Sequence, residues 1–205
     1  MNPSIVPAGL QDDTARCGER PALCVFCGAK SGNEAHWALT AFDFGAAVAR
    51  RGWRLVYGGG RVGLMGALAD GALSAGGEVV GVIPTRLMER ELAHRGVARL
   101  EVVVDMAARK QRMMAISDAF AALPGGLGTL DELFEVLTLR QIGEHAKPSA
   151  LLDERGYWQP LLRACYSMVD AGFVRGDDMA PVIVEPTGGA VLDRLQRALQ
   201  SAGNY

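Results

Sequence analysis

Seven short apolar runs punctuate the chain, and a helical pattern fills most of the intervals between them. The runs span 22–28, 54–57, 78–83, 100–104, 119–123, 149–152 and 182–184. Runs this short, bounded by Gly and Pro, read as strands. Helical patterns lie near 33–51, 64–75, 105–117, 130–143, 157–171 and 188–201. Strand and helix alternating at this spacing predict a parallel sheet of about seven strands, with helices on both faces and right-handed crossovers. The fold class expected is therefore α/β. Ligands of such sheets bind at the carboxyl ends of the strands. Residues 1–20 are mixed polar without a period and are expected to form a loose N-terminal arm. No repeat, low-complexity tract or interdomain linker interrupts the rhythm.

Composition narrows the class of partner. The chain has 205 residues, enough for one well-filled core and too few for two comfortable domains. A formal net charge of -2 leaves no electrostatic footprint for nucleic acid, and no basic block suggests a membrane surface. No apolar run approaches the roughly 20 residues of a membrane span. The first residues lack the basic region and apolar core of a secretory signal, so the expected location is cytoplasmic.

"CVFC", residues 24–27, has the CxxC spacing of redox and zinc motifs. It lies inside an apolar strand pattern with no second Cys/His pair at zinc spacing, which predicts buried strand residues. His36, His94 and His145 are scattered without metal spacing and are expected to pack or face solvent, and Trp37, Trp53 and Trp158 are expected in the core or an interface.

Three glycine-rich loops follow strands. The first, "CGAKSGN" at 27–33, contains Lys-Ser but lacks the glycines a P-loop requires. The second, "YGGGRVGLMG" at 57–66, satisfies G-x-G-x-x-G through Gly58, Gly60 and Gly63. That match is weak for a dinucleotide, because it follows the second strand and no acid closes the next one, which ends at Pro84. Nucleotide contact is nonetheless expected at Gly59 and Gly60. The third, "ALPGGLGTLDELFEVLTL" at 122–139, is the most informative. Pro124 ends the strand, and Gly125, Gly126 and Gly128 let backbone amides converge on one point. Thr129 reads as the helix N-cap. Free amides at the positive end of a helix favour a phosphate. Thr129-x-x-Glu132 also matches a capping box, in which Glu132 would serve only the helix end. The other reading depends on "ARK", residues 108–110: an arginine able to meet Glu132 would hold it ionised and aimed.

"PGGLGTLDE" resembles the PGGxGTxxE motif of the LONELY GUY family, the cytokinin riboside 5′-monophosphate phosphoribohydrolases, long mislabelled lysine decarboxylases. The resemblance runs over about residues 22–185 and includes "VFCGAKSG", "DMAARKQRMM" and "KPSALLDERGYWQPLL". It implies a Rossmann-like nucleotide-binding catalytic domain over 21–205. By position, the family's catalytic pair falls on Arg109 and Glu132. Its substrate contacts fall on Glu91, Lys110 and the loop Gly125, Gly126, Leu127, Gly128 and Thr129. This chain departs from the family in having Ala107-Ala108 where His-Glu is usual, and Ala29 where a serine is common.

The implied reaction is hydrolysis of the N-glycosidic bond of an N6-modified adenosine 5′-monophosphate. A carboxylate would stabilise the positive charge that builds on the ribose and orient the attacking water. Neither a metal nor a cofactor is expected. The resemblance also implies a homodimer or higher homo-oligomer. Decarboxylation of lysine would need a Schiff-base lysine, and nothing marks Lys30, Lys110 or Lys147 for that part. The alternative is a non-catalytic carrier of a nucleotide or of molybdenum cofactor, since related Rossmann-like proteins with similar glycine loops bind without cleaving.

Overall fold

Strands 22–26 and 119–122 are buried along their whole length, which is what a sheet covered on both faces requires. The structure, a computed structural model, describes residues 4–7, 20–89, 93–201 and 203. Among these, eight parallel strands form one sheet: β1 (Ser4–Pro7), β2 (Ala22–Phe26), β3 (Arg54–Tyr57), β4 (Val79–Pro84), β5 (Arg99–Val103), β6 (Ala119–Ala122), β7 (Ser149–Leu152) and β8 (Val182–Glu185). The helices are α1 (His36–Arg50), α2 (Gly63–Ser74), α3 (Thr85–Glu89), α4 (Met106–Ala115), α5 (Leu127–Gln141), α6 (Gln159–Asp170), α7 (Gly176–Met179) and α8 (Gly188–Ser201).

The expected seven strands are all present, and the eighth comes from the N-terminal arm. Ser4–Pro7 pair in parallel with Arg99–Val102 at the sheet edge. The rest of the expected arm, with Cys17, lies outside the described residues apart from Arg20. Short helices α3 and α7 carry too few residues for a period and have no counterpart in the sequence reading.

Strand order is β1-β5-β4-β3-β2-β6-β7-β8. The chain builds outward from β2 on one side, then returns to add β6 on the other. Strands β2 and β6 are therefore neighbours at the point where the strand order reverses, which in such sheets is where a ligand crevice forms.

Alternation along the strands divides two cores. Leu23, Val25 and Cys27 face α1, α2 and α8, whereas Ala22, Cys24 and Phe26 face α4, α5 and α6. Cys24 and Cys27 thus lie in different cores, as free and buried thiols, and their CxxC spacing brings no two sulfurs together.

Helices α1 and α2 meet almost backbone to backbone. A Cβ at Gly45 would stand 2.0 Å from the Leu68 carbonyl oxygen, and one at Gly71 would stand 1.9 Å from that of Phe42. Replacing Gly71 by Ala sets two effects against each other. Helix propensity favours Ala by about 1 kcal/mol. Overpacking against a rigid carbonyl costs up to about 3 kcal/mol or more. The clash wins, so Gly71→Ala should lower stability by about 1–2 kcal/mol in denaturant unfolding; a stabilised variant would show that the helices separate easily.

Candidate active site

Three loops close over the carboxyl ends of β2, β3 and β6, and backbone hydrogen bonds knit them together. The Gly28 amide donates to the Pro124 carbonyl at 3.1 Å, and the Leu64 amide to the Gly28 carbonyl at 3.0 Å. Glycine is required where they touch. Gly63 has φ +64, and a Cβ there would stand 2.3 Å from the Ala29 oxygen. Between them lies a cavity of about 760 Å³, large enough for a small-molecule ligand.

The floor of the cavity is the start of α5. Its N-cap is Gly126, in an extended conformation with φ -99 and ψ -152, and no side chain caps it. The helix begins at Leu127, three residues before the sequence pattern suggests. The expected N-cap at Thr129 is thus corrected: Thr129 lies inside the first turn, and Glu132 belongs to the second. A capping box cannot form at that spacing, which removes the capping-box reading of Glu132. Glycine produces the difference, since residues 125–128 turn into the helix with no side-chain cap needed. Amides of the first turn have no acceptor inside the helix. Thr129 is buried, lines the same cavity, and its hydroxyl has no hydrogen-bond partner among the described residues.

Helix α4 delivers the arginine. Asp105 caps it, accepting from the Ala108 amide at 2.8 Å, and so sets its start one turn before Arg109. Arg109 Nη1 meets Glu132 Oε1 at 3.0 Å, and Arg109 Nε donates to the Val82 carbonyl at 3.2 Å. Both side chains are buried and both line the cavity. The second glycine loop makes room for them: a Cβ at Gly58 would stand 1.6 Å from Arg109 Nη2. Burial pushes the Glu132 carboxyl above the usual carboxylate range, and the Arg109 guanidinium pulls against that shift.

The other expected site residues separate. Gly60 and Gly125–Thr129 line the cavity. Gly59 does not; it takes a positive φ of +73, and its carbonyl accepts from the His94 amide at 2.9 Å. Lys110 also stands outside the lining, with Nζ 2.9 Å from Asp131 and 2.6 Å from Glu135. These two carboxylates hold its ammonium above the usual lysine pKa, Glu135 contributing most. Glu91 lies outside the described residues. Of the departures from the family pattern, Ala29 lines the cavity and Ala107-Ala108 do not.

Trp37, Tyr157 and Lys30 line the cavity without having been picked out as site residues. The Tyr157 hydroxyl donates to the Gly125 carbonyl at 2.6 Å, and its ring meets Trp37 edge-on at 5.6 Å. One signal for the tryptophan was its place just beyond Gly32, whose Cβ position is 2.7 Å from the indole. No local pattern marked Tyr157, which comes from a distant loop.

A family model described as "Possible lysine decarboxylase" matches residues 65–195. The chain is 45% identical over 185 residues to the cytokinin riboside 5′-monophosphate phosphoribohydrolase of Rhodococcoides fascians, covering 90% of this chain and 93% of that one. It is 40% identical over 174 residues to the cytokinin riboside 5′-monophosphate phosphoribohydrolase LOG1 of Arabidopsis thaliana, covering 85% and 82%. Among solved structures, the molybdenum cofactor binding protein of Rippkaea orientalis aligns with a TM-score of 0.69 at 22% identity, over 89% of this chain and 99% of that chain. The Moco carrier protein of Chlamydomonas reinhardtii gives 0.69 at 24% identity, over the same shares. At that identity the likeness is one of fold. Fold and cavity together define a Rossmann-like α/β protein whose glycine loop after β6 adjoins a buried ion pair. Within that class the chain belongs to the LONELY GUY family, the cytokinin riboside 5′-monophosphate phosphoribohydrolases.

If the α5 start is the anion site, a crystal grown with phosphate should show the ion within hydrogen-bond distance of the Leu127–Thr129 amides. An ordered ion seated instead at Gly58–Gly60 would move the phosphate to the second loop.

Proposed function

We propose that the chain hydrolyses the N-glycosidic bond of nucleoside 5′-monophosphates, N6-modified adenosine 5′-monophosphate in particular, to free base and ribose 5-phosphate. The observation that carries this reading is the buried Arg109–Glu132 pair in the wall of the anion cavity. A protein that merely grips a phosphate gains nothing from a carboxylate beside it. The names of the relatives from Rhodococcoides fascians and Arabidopsis thaliana support the same reaction.

In this reading the 5′-phosphate sits on the amides of Gly126–Thr129, and the ribose lies toward Glu132. As the bond from C1′ to the base nitrogen breaks, its electron pair leaves with the base, which takes up a proton. Positive charge develops on the ribose, and the Glu132 carboxylate stabilises it. Water adds to C1′ and loses its proton to Glu132 or to solvent. Arg109 keeps Glu132 ionised and fixed in direction. None of these steps needs a metal or cofactor.

Residues 21–205 would form the nucleotide-binding catalytic domain, working in the cytoplasm with no nucleic-acid or membrane partner. Among the described residues, no helix is long and apolar enough to cross a membrane. Exposed Val104, just before α4, and Phe134, on α5, support assembly as a homodimer or higher homo-oligomer. A carrier of nucleotide or molybdenum cofactor is the second reading, favoured by the folds of the solved neighbours.

Incubation with AMP, N6-isopentenyl-AMP and adenosine, followed by chromatography for free base, separates the two. The hydrolase releases base from the monophosphates and much less from adenosine; a carrier binds and leaves them intact. Glu132→Gln should lower turnover by roughly a hundredfold or more while nucleotide binding changes little. Arg109→Ala should also lower it, and the double variant should lose less than the product of the two, because the pair acts as a unit.

The pH profile follows from the Glu132 environment. Activity needs the carboxylate, and burial raises its pKa, so activity should fall on acidification from a midpoint above 4.5, the ordinary value for a glutamate. Arg109 opposes that rise, so Arg109→Gln should move the acid limb of kcat/KM to still higher pH. A limb that stays put would assign it to another group.

A further inference from the structure

We infer that Lys30 supplies the mobile positive charge that holds the substrate's 5′-phosphate. This rests on the hydrolase reading for the ligand's identity as a nucleoside monophosphate, and on the cavity's own chemistry for the rest.

The charged residues lining the cavity among the described residues are Lys30, Arg109, Asp131 and Glu132. Three of them are already committed. Arg109 and Glu132 are paired at 3.0 Å, and Asp131 receives Lys110 at 2.9 Å. Lys30 is exposed and has neither ion pair nor hydrogen bond from its side chain among the described residues. With each carboxylate answered by its own partner, Lys30 is the cation left to meet an entering anion.

Position agrees with charge. The first loop is fastened to the anion loop through the 3.1 Å bond from the Gly28 amide to the Pro124 carbonyl. A Cβ at Gly28 would stand 2.9 Å from the Lys30 carbonyl oxygen and 3.5 Å from the Gly125 Cα, so both loops lie within one side chain's width of Gly28. A lysine stem is long, flexible and ends in a strongly hydrated point charge, suited to a phosphate that the α5 amides hold from the other side. Lys110 would have to leave Asp131 and Glu135 to do the same, and it lies outside the lining.

The anion site has a second mark of its own in Thr129, a buried residue that lines the cavity beside the α5 amides. Amides and hydroxyl fix the direction of a phosphate without neutralising it. A phosphomonoester carries up to two negative charges near neutral pH, and it enters a cavity that already holds two carboxylates. A mobile cation at Lys30 lowers that electrostatic barrier.

The test is calorimetric binding of inorganic phosphate and AMP to the full chain, alongside KM and kcat. Lys30→Gln should weaken both affinities about tenfold, the scale of one charge-assisted hydrogen bond. KM for AMP should rise by a similar factor with kcat nearly unchanged, and the salt dependence of binding should flatten. Binding of adenosine should not move. Lys30→Arg should restore most of the phosphate affinity, which a loop defect in Lys30→Gln would not allow. Wild-type phosphate affinity in Lys30→Gln overturns the proposal, as does a larger loss in Lys110→Gln, or a wild-type protein that binds no phosphate. If base is released from no nucleotide, the hydrolase reading falls while the phosphate affinities still decide the role of Lys30.

Discussion

A buried ion pair is an expensive thing to build, and much of the carboxyl-end surface of this sheet is arranged around one. Desolvating Arg109 and Glu132 costs several kcal/mol for each ion, and their attraction returns it only with good geometry and further hydrogen bonds. The Val82 carbonyl in the second half of β4 supplies one such bond. Gly58 at the end of β3 supplies space, since any side chain there would collide with the guanidinium. Asp105 at the end of β5 starts α4 in the right phase, and Gly126 starts α5 early enough to bring Glu132 round. Four strands contribute to one contact 3.0 Å long.

That contact can exist because of topology. The return of the chain from β5 to β6 places the loop after β6 against the loop after β2, and the helices that follow β5 and β6 both pass the crevice. Arg109 rides on the first of these helices and Glu132 on the second. Separated by a whole strand in sequence, they meet in space because β6 inserts beside β2 rather than beside β5. The three glycine loops then serve a common end. Their close approaches, Gly28 to Gly125 and Gly63 to Ala29, exclude side chains from the seam and leave the cavity to a ligand.

Periodicity made the fold legible. Short continuous apolar runs mark the central strands, which are buried on both faces, and α8 falls on residues 188–201 as the pattern expects, because its apolar stripe of Val191, Leu192, Leu195 and Leu199 is plain. Pairing of Ser4–Pro7 with β5 was not legible, since four residues without a period carry no strand signal. The start of α5 was misplaced for a definite reason: Gly126-Leu127-Gly128 looks like loop, and Thr129 looks like a cap, yet the glycines turn into the helix. At the site, the family motif named Arg109 and Glu132 together, and the structure pairs them at 3.0 Å. Lys110 did not follow, because a position on a helix says nothing about which acids surround it, and here Asp131 and Glu135 claim it. Tyr157 was invisible locally, being placed over Gly125 by a segment some thirty residues away.

The proposed chemistry sets a condition that the pair resolves. Glu132 stabilises a cation only while it is ionised, and burial already favours its neutral form. A phosphate nearby favours it further: two like charges about 4 Å apart near a protein surface oppose each other by about 4 kcal/mol at an effective dielectric of about 20. A carboxylate and a phosphate can share one cavity only if positive charge is divided between them. Arg109 is tied to Glu132 from behind, through the Val82 carbonyl, and so stays with the carboxylate when an anion arrives. On the proposed reading, the α5 amides, Thr129 and Lys30 of the first loop would answer the phosphate instead. Keeping those two sets of donors on separate elements would prevent such a substrate from taking the arginine for itself and leaving Glu132 protonated at the moment its charge is needed.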